Sequence, residues 1–413
     1  MQPQRALIPD FSRFYRHIPH LRLGAPKRNG AAGDLRGLEL GGLATINDTS
    51  VDALERALVD RLFGGQGGCV AVANTTLGLM LSIRHAAAVA GRPGGFALMP
   101  SFAPAAVAQA ALWAGLTPLL CDIDPRTWSA SPAAEAVLLA RFGAEISVVV
   151  PCATFGNCLD LDRYADVAQA HGVGVVVDAG VALGARDAFG DGFGTGSTLI
   201  SVFSVPGTKP FAAAAGGIIQ SGDPALVATL RQVVDEGVAA RVNDAAPRLH
   251  ARMSGTSAQK ARDSLDRMPE ATAHQAGLAA RYRARLEAVT FQQQTGQQQA
   301  HPFMPVLLPS DIAARRGEIV SSLAMCGINT GTYLSPHIAE HPLFHGNVRA
   351  GLLTVTEDIA ARILVLPMTE EMDTADVDEA ADALNETIAS LRARRARRAA
   401  DRIVAEVPFG ADA

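Results

Sequence analysis

The sequence predicts an α/β fold: a mostly parallel, seven-stranded sheet covered by helices, followed by a smaller C-terminal α/β domain. Three observations carry this. Seven short apolar runs recur between residues 69 and 221, helix-length segments separate most of them, and the runs are continuously apolar rather than alternating. Strands buried on both faces have that texture, and parallel pairing needs the intervening crossovers.

In chain order, CVAVA (69–73) reads as the first strand and leads into a helix from Thr76 to about Ala90. FALMP (96–100), PLLCDI (118–123), ISVVVP (146–151), GVVVDA (174–179), LISVFS (199–204) and GGIIQS (216–221) continue the series. LDRYADVAQAHG (161–172) is one of the helical patterns between them, with apolar residues at helical spacing. After residue 223, ALVATLRQVVDEGVAARV and the stretch 257–288 read as helices. FQQQTGQQQA (291–300) reads as a flexible surface connection or turn. Short strands (FMPVLLP, ILVLP) then mix with helices (SDIAARRGEIVSSLAMCG, DTADVDEAADALNETIASLRARR), as in a smaller α/β domain.

Composition narrows the function classes. The chain has 413 residues, 48% of them hydrophobic and 19% charged, which fits a globular protein with a sizeable core. A net charge of −5 gives no overall electrostatic footprint for nucleic acid. The basic run LRARRARRAADR (391–402) reads as a solvated helix face. Five cysteines without a CxxC pair argue against a disulfide framework or zinc site; no metal is expected, and a reducing cytoplasm is the simplest home. The first residues lack the apolar core of a signal peptide. Gly94 to Cys121 carries no charge, but Pro100, Pro104, Gln109, Gly115 and Pro118 interrupt it, so it reads as a buried β–α–β stretch rather than a membrane span.

In open α/β sheets, ligands bind beyond the carboxyl ends of the strands. Three places there carry suggestive residues. ANTT (73–76) puts hydroxyls and backbone amides at a helix start, either an anion cradle or a plain cap. Asp178 ends an apolar strand, where a carboxylate needs a partner: a metal, a helix cap, or a protonated ring nitrogen. Lys209 lies in the small-residue, apolar loop FSVPGTKPFAAAAGG of a chain with three lysines against 33 arginines. Lysine forms a Schiff base and arginine does not; a solvent-facing loop lysine is the plain alternative. Together a phosphate cradle, an acid for a pyridine nitrogen and an amine for an aldehyde are what pyridoxal 5'-phosphate requires.

These segments resemble the DegT/DnrJ/EryC1/StrS family of sugar aminotransferases, within the aspartate-aminotransferase superfamily. The resemblance runs in order from about residue 68 to 270, with weaker echoes to about 385. ANTTLGLMLS resembles the family's phosphate turn, and PSFAPAAVAQAALWAGLTPLLCDIDPRTW its PSFTF…AGATPVFVDIDP segment. VVPCATFGNCLDLDRYADVAQAHGVGVVVDAG is similar to the stretch ending at the cofactor Asp, FSVPGTKPFAAAAGG to the lysine loop, and LHARMS (249–254) to the YNFRMS element. The resemblance implies the fold of a type I pyridoxal-phosphate-dependent transferase. It places Lys209 on the Schiff-base lysine and general base, Asp178 on the pyridinium partner, Ser204 with Thr75 and Thr76 on the phosphate, and Tyr333 and His337 (in NTGTYLSPH) on the substrate side. It also implies a homodimer with active sites at the interface, His250 standing where the neighbouring subunit normally contributes an Asn. The expected division is an N-terminal arm with substrate and dimer contacts (1–50), a large cofactor-binding domain (51–260) and a smaller domain (261–413).

The chain departs from the family pattern around the cofactor. Pro104 replaces the ring-stacking aromatic, Val181 the Gln or His packed on the cofactor, Pro210 the Asn after the lysine, and Ala215 the Glu of GEGG. The leading expectation is an aminotransferase passing an amino group from a donor such as glutamate to a keto substrate, by family habit a nucleotide-linked keto sugar. Two alternatives stand beside it: a pyridoxal-phosphate enzyme acting on an amino acid or other small specialised metabolite, and a catalytically lapsed member serving as a partner subunit. Nucleic acid and membrane are not expected partners.

Overall fold

The computed structural model describes residues 40–205, 216–234 and 249–406, with side chains over 49–205, 216–234 and 249–397. The first part of the chain runs α1 (Leu40–Leu62), β1 (Gly68–Val72), α2 (Thr75–Val89), β2 (Phe96–Pro100), α3 (Ala105–Trp113), β3 (Thr117–Cys121), α4 (Pro132–Phe142), β4 (Ile146–Val149), α5 (Leu161–His171), β5 (Gly174–Asp178), β6 (Ile200–Ser204) and β7 (Gly217–Ser221). It continues through α6 (Pro224–Val234), α7 (Gly255–Arg285), β8 (Thr290–Phe291), β9 (Met304–Leu307), α8 (Arg316–Met325), β10 (Arg349–Ala350), α9 (Thr354–Arg362), β11 (Ile363–Leu366) and α10 (Thr374–Glu406). The seven expected strands form one sheet in the order β1-β7-β6-β5-β4-β2-β3, and the two-residue β10 adds an eighth beside β3. β7 is antiparallel to both neighbours and every other pairing in this sheet is parallel. The expected α/β architecture is therefore present.

The apolar runs explain the layering. Successive residues of a strand face opposite sides, so a continuous apolar run feeds two cores. Val175 and Val177 of β5 join one buried cluster while Val176 joins the other. Leu98 and Leu119 likewise face the first, and Ala97, Met99 and Leu120 the second. Local signals set the helix ends. Asn74, Ser131 and Asp160 side chains cap α2, α4 and α5, and Gly172 closes α5 in the left-handed conformation. Gly94 to Cys121 folds as β2–α3–β3, and no helix of the described residues is long and apolar enough to cross a membrane.

A three-stranded antiparallel sheet, β11-β9-β8, packs with α7, α8 and α10 around a third core that includes Tyr282, Val306, Leu364 and Leu384. The basic run near the C-terminus lies in α10, where the Arg392 guanidinium pairs with Asp311 at 2.9 Å, so that face is partly tied down rather than wholly solvated. The five cysteines are all unpaired, four of them buried.

The Gln-rich segment departs from its expectation as a flexible surface connection. Gln292 and Gln299 are 2% and 3% exposed, and their amides bond to backbone carbonyls of the core. Gln293, Gln294 and Gln297 are exposed as composition implies, whereas Gln292 and Gln299 turn inward, where their amides bond to the turn carbonyls of Thr127, Thr154 and Phe155.

Between α4 and α5 a buried carboxylate also requires its partners. Glu135 is 1% exposed, and it takes an Arg163 guanidinium contact at 2.5 Å and the Tyr164 hydroxyl at 3.1 Å. Burial raises the Glu135 pKa, opposed by the Arg163 charge and its hydrogen bond and by Tyr164. Arg163→Met should cost about 3 kcal/mol, because it leaves that carboxylate buried without its cation. A carboxyl whose folded pKa is raised binds its proton more readily folded than unfolded, so the deficit should shrink as pH falls toward 5. Urea denaturation of both proteins at pH 8 and pH 5 checks this; an equal deficit at both would contradict it.

Candidate active site

Because β7 reverses against both neighbours, β1 and β6 run in the same direction, and their carboxyl ends lie on one side of the sheet with those of β4 and β5. Strand order also switches there: β3 pairs on one side of β2 and β4 on the other. Such a switch point opens a crevice at the strand ends. A cavity of about 300 Å³ occupies it, at the lower end of the usual range for small-molecule sites.

One part of the cavity gathers hydroxyls at a helix start, groups that suit an anion. Thr75 and Thr76 open α2, with Asn74 as the cap, and helix starts present free amides and a positive dipole end. The Thr75 and Ser204 hydroxyls lie 2.6 Å apart across the end of β7. Gly217 makes that approach possible. It is the register partner of both Val72 and Ser204, and a Cβ on it would lie 2.8 Å from the Thr75 nitrogen. No side chain fits between helix start and strand.

Asp178 supplies the charge. It ends β5, is 7% exposed, and its Oδ1 accepts the Gly180 N–H at 3.0 Å. Its backbone is fixed by Pro151 and Ala153 at 2.9 and 2.8 Å. Among the described residues lining the cavity it is the one charged side chain. Burial, and then the Asp178 charge, push the Tyr333 phenol and the Cys152 thiol upward, so both keep their protons beside the carboxylate. Ser204 and Gly216, which flank residues 205–215, both line the cavity.

The structure thus brings Thr75, Thr76, Pro104, Asp178, Val181, Ser204 and Tyr333 together around one cavity. Lys209 lies outside the described residues. His250 is exposed and does not line this cavity. His337 is not a lining residue either: it is 1% exposed, with Nδ1 2.8 Å from the Ser101 hydroxyl. The physical reason lies in the chain reversal at Leu334, whose φ of 72° turns the following residues toward the end of β2. Burial lowers the His337 pKa, with the charges of Glu340, Glu357 and Asp122 opposing. Ser101, His337 and Glu340 stand in the order of a hydrolytic triad, but Ser101 is fully buried and its Oγ already accepts the Ala339 N–H at 3.2 Å. No substrate reaches it.

Sequence reasoning missed Phe155, Leu334 and Gly217. Phe155 and Leu334 line the cavity in left-handed backbone conformations, at φ 55° and 72°. Nothing in their residue types signals that. Gly217 left a signal in the GG pair before the last strand, the usual mark of a close backbone approach.

The site can be compared with known proteins. A sequence model of the DegT/DnrJ/EryC1/StrS aminotransferase family matches residues 36–385. Protein Rv3402c of Mycobacterium tuberculosis is 29% identical over 336 residues, 80% of each chain. UDP-2-acetamido-2-deoxy-3-oxo-D-glucuronate aminotransferase of Pseudomonas aeruginosa is 26% identical over 334 residues, 79% of this chain and 88% of the relative. The crystal structure of DesI in the presence of its TDP-sugar product is 29% identical with a TM-score of 0.72, covering 87% of this chain and 93% of that one. With most of its length matched, the chain belongs to the DegT/DnrJ/EryC1/StrS aminotransferase family.

Proposed function

We propose that the protein is a pyridoxal-phosphate-dependent aminotransferase that moves an amino group from a donor such as glutamate to the keto group of a nucleotide-linked sugar. The observation that carries the reading is one cavity uniting the Thr75–Ser204 hydroxyl pair at a helix start with the Asp178 carboxylate. The residues fit the group. Hydroxyls and amides suit a phosphate, a buried carboxylate suits a protonated ring nitrogen, and Gly217 leaves the space such a cradle needs. When bound, the cofactor supplies an electron sink for the substrate carbon. Thr75, Thr76 and Ser204 would hold the phosphate, and Asp178 would keep the ring nitrogen protonated. Lys209, by its place in the family pattern, would supply the amine that anchors the cofactor and the base that moves a proton at Nζ. The sugar assignment is supported by the names of the relatives, one acting on a UDP-linked keto sugar and one crystallised with a TDP-sugar.

The same reading includes a cytoplasmic homodimer in which His250, exposed on its own subunit, faces the neighbour's site. It divides the chain into an arm (1–50), a cofactor-binding domain (51–260) and a smaller domain (261–413). One observation favours a changed acceptor: Pro104 and Val181 line the cavity where the family carries an aromatic and a polar residue. An amino acid or other small metabolite is therefore the second reading. The joint retention of Thr75, Ser204 and Asp178 in one cavity speaks against a lapsed subunit.

Two outcomes are expected. Protein reconstituted with pyridoxal phosphate should show a visible absorption band that Lys209→Ala abolishes and that glutamate shifts; a colourless protein, or no shift with any common amino donor, would contradict the reading. Ser204→Ala and Thr75→Val should each weaken cofactor binding by roughly tenfold or more, the worth of one hydrogen bond to an anion. Gly217→Ala should act in the same direction by pressing on the Thr75 backbone, and unchanged dissociation constants in fluorescence titrations would rule the cradle out.

A further inference from the structure

Three non-glycine residues among those described have left-handed backbone: Trp128 (φ 59°), Phe155 (φ 55°) and Leu334 (φ 72°). Such conformations bring a Cβ against the backbone and persist only where surrounding bonds hold them. Two of the three share one support. The Gln292 amide nitrogen donates to the Thr127 carbonyl at 2.7 Å and to the Thr154 carbonyl at 2.9 Å. These carbonyls belong to the peptide units immediately before Trp128 and Phe155. The Gln299 nitrogen donates to the carbonyl of Phe155 itself at 3.1 Å and to the Gln292 Oε1 at 2.9 Å. Carbonyls only accept, so the direction of each amide is set by chemistry.

We propose that Gln292 and Gln299 form a buried amide clamp that positions the Phe155 ring, and with it Tyr333, as a wall of the cavity beside Asp178. The ring geometry supports this. The Phe155 centroid lies 6.0 Å from those of Trp128 and Tyr333 and 6.1 Å from that of Phe303, all edge-on. Phe155 and Tyr333 both line the cavity, while Trp128 is fully buried behind them. The same strand end is laced to the glutamine segment by Ala300 N–H to Gly156 O at 3.2 Å and by Asn157 Nδ2 to Gln293 O at 2.8 Å. Neither glutamine touches the cavity, so both are positioning residues acting through Thr154 and Phe155. Losing the donor leaves the Trp128 turn to its Asp124 bonds and the Thr154 carbonyl to the Asn157 N–H at 3.3 Å, a weaker hold on the left-handed Phe155, and the ring shifts with it.

The cofactor part of the test rests on the aminotransferase reading, so a second readout stands apart from it. Gln292→Met should reduce the near-ultraviolet circular dichroism of the packed rings and raise the dissociation constant for pyridoxal phosphate about tenfold, as loss of a buried hydrogen bond does. Gln292→Glu should show the same deficits at pH 8 and recover toward wild type at pH 5.5, because only a protonated carboxyl donates to a carbonyl. A role in stability alone would lower the folded fraction and leave the dissociation constant of the folded protein unchanged. Should Gln292→Met not fold, Gln299→Met takes its place under the same criteria. Folded variants with wild-type dichroism, or a Gln292→Glu deficit unchanged by pH, would overturn the clamp. If wild type itself binds no pyridoxal phosphate, the functional reading fails while the dichroism and its pH recovery still decide this proposal.

Discussion

Because β7 runs against both neighbours, β1 and β6 point the same way and end side by side with a single strand between them. Strand spacing puts that separation near 10 Å, about 4.8 Å for each pairing. Two short hydroxyl side chains cannot span it if the intervening residue has bulk. Gly217 stands there, in register with Val72 and Ser204, and the start of α2 packs directly over its backbone. The Thr75–Ser204 contact follows from a reversed strand that begins with a glycine. In a fully parallel sheet β1 and β6 would still end together, but the last residues of β7 rather than its first, Gly217, would lie between them.

The remainder of the cavity is arranged around one charge. Asp178 is kept by its own backbone bonds and by Gly180, with two protonated neighbours, Tyr333 and Cys152, whose ionisation burial suppresses. Around it the wall is mostly apolar: Pro104, Val107, Phe155, Val181 and Leu334. In so apolar a setting a single carboxylate exerts a strong field, which suits the task of keeping a ring nitrogen protonated. Pro104 and Val181 add apolar surface to that wall and no second charge.

Much of this was legible in the sequence for physical reasons. Doubly buried strands must be continuously apolar, so the seven runs announced the sheet, and polar residues at their ends, Thr75, Asp178 and Ser204, marked the crevice. Other parts were hidden. Tyr333 and His337 are neighbours in one motif, yet the reversal at Leu334 sends one to the cavity and the other into the core against Ser101. Gln293, Gln294 and Gln297 do lie at the surface, but Gln292 and Gln299 are buried, because amide burial depends on distant carbonyls, those of Thr127, Thr154 and Phe155, which no local pattern encodes. Composition gives a residue's preference for water, and only the fold says which backbone groups lack partners.

The proposed function turns on one amine among the three lysines of the chain. Reduction of the pyridoxal-phosphate-loaded protein with borohydride, followed by peptide mass spectrometry, reads directly which lysine the cofactor aldehyde meets. The account predicts a phosphopyridoxyl mass on the peptide containing Lys209. A label on Lys27 or Lys260 instead, or none on a protein saturated with the cofactor, would contradict it.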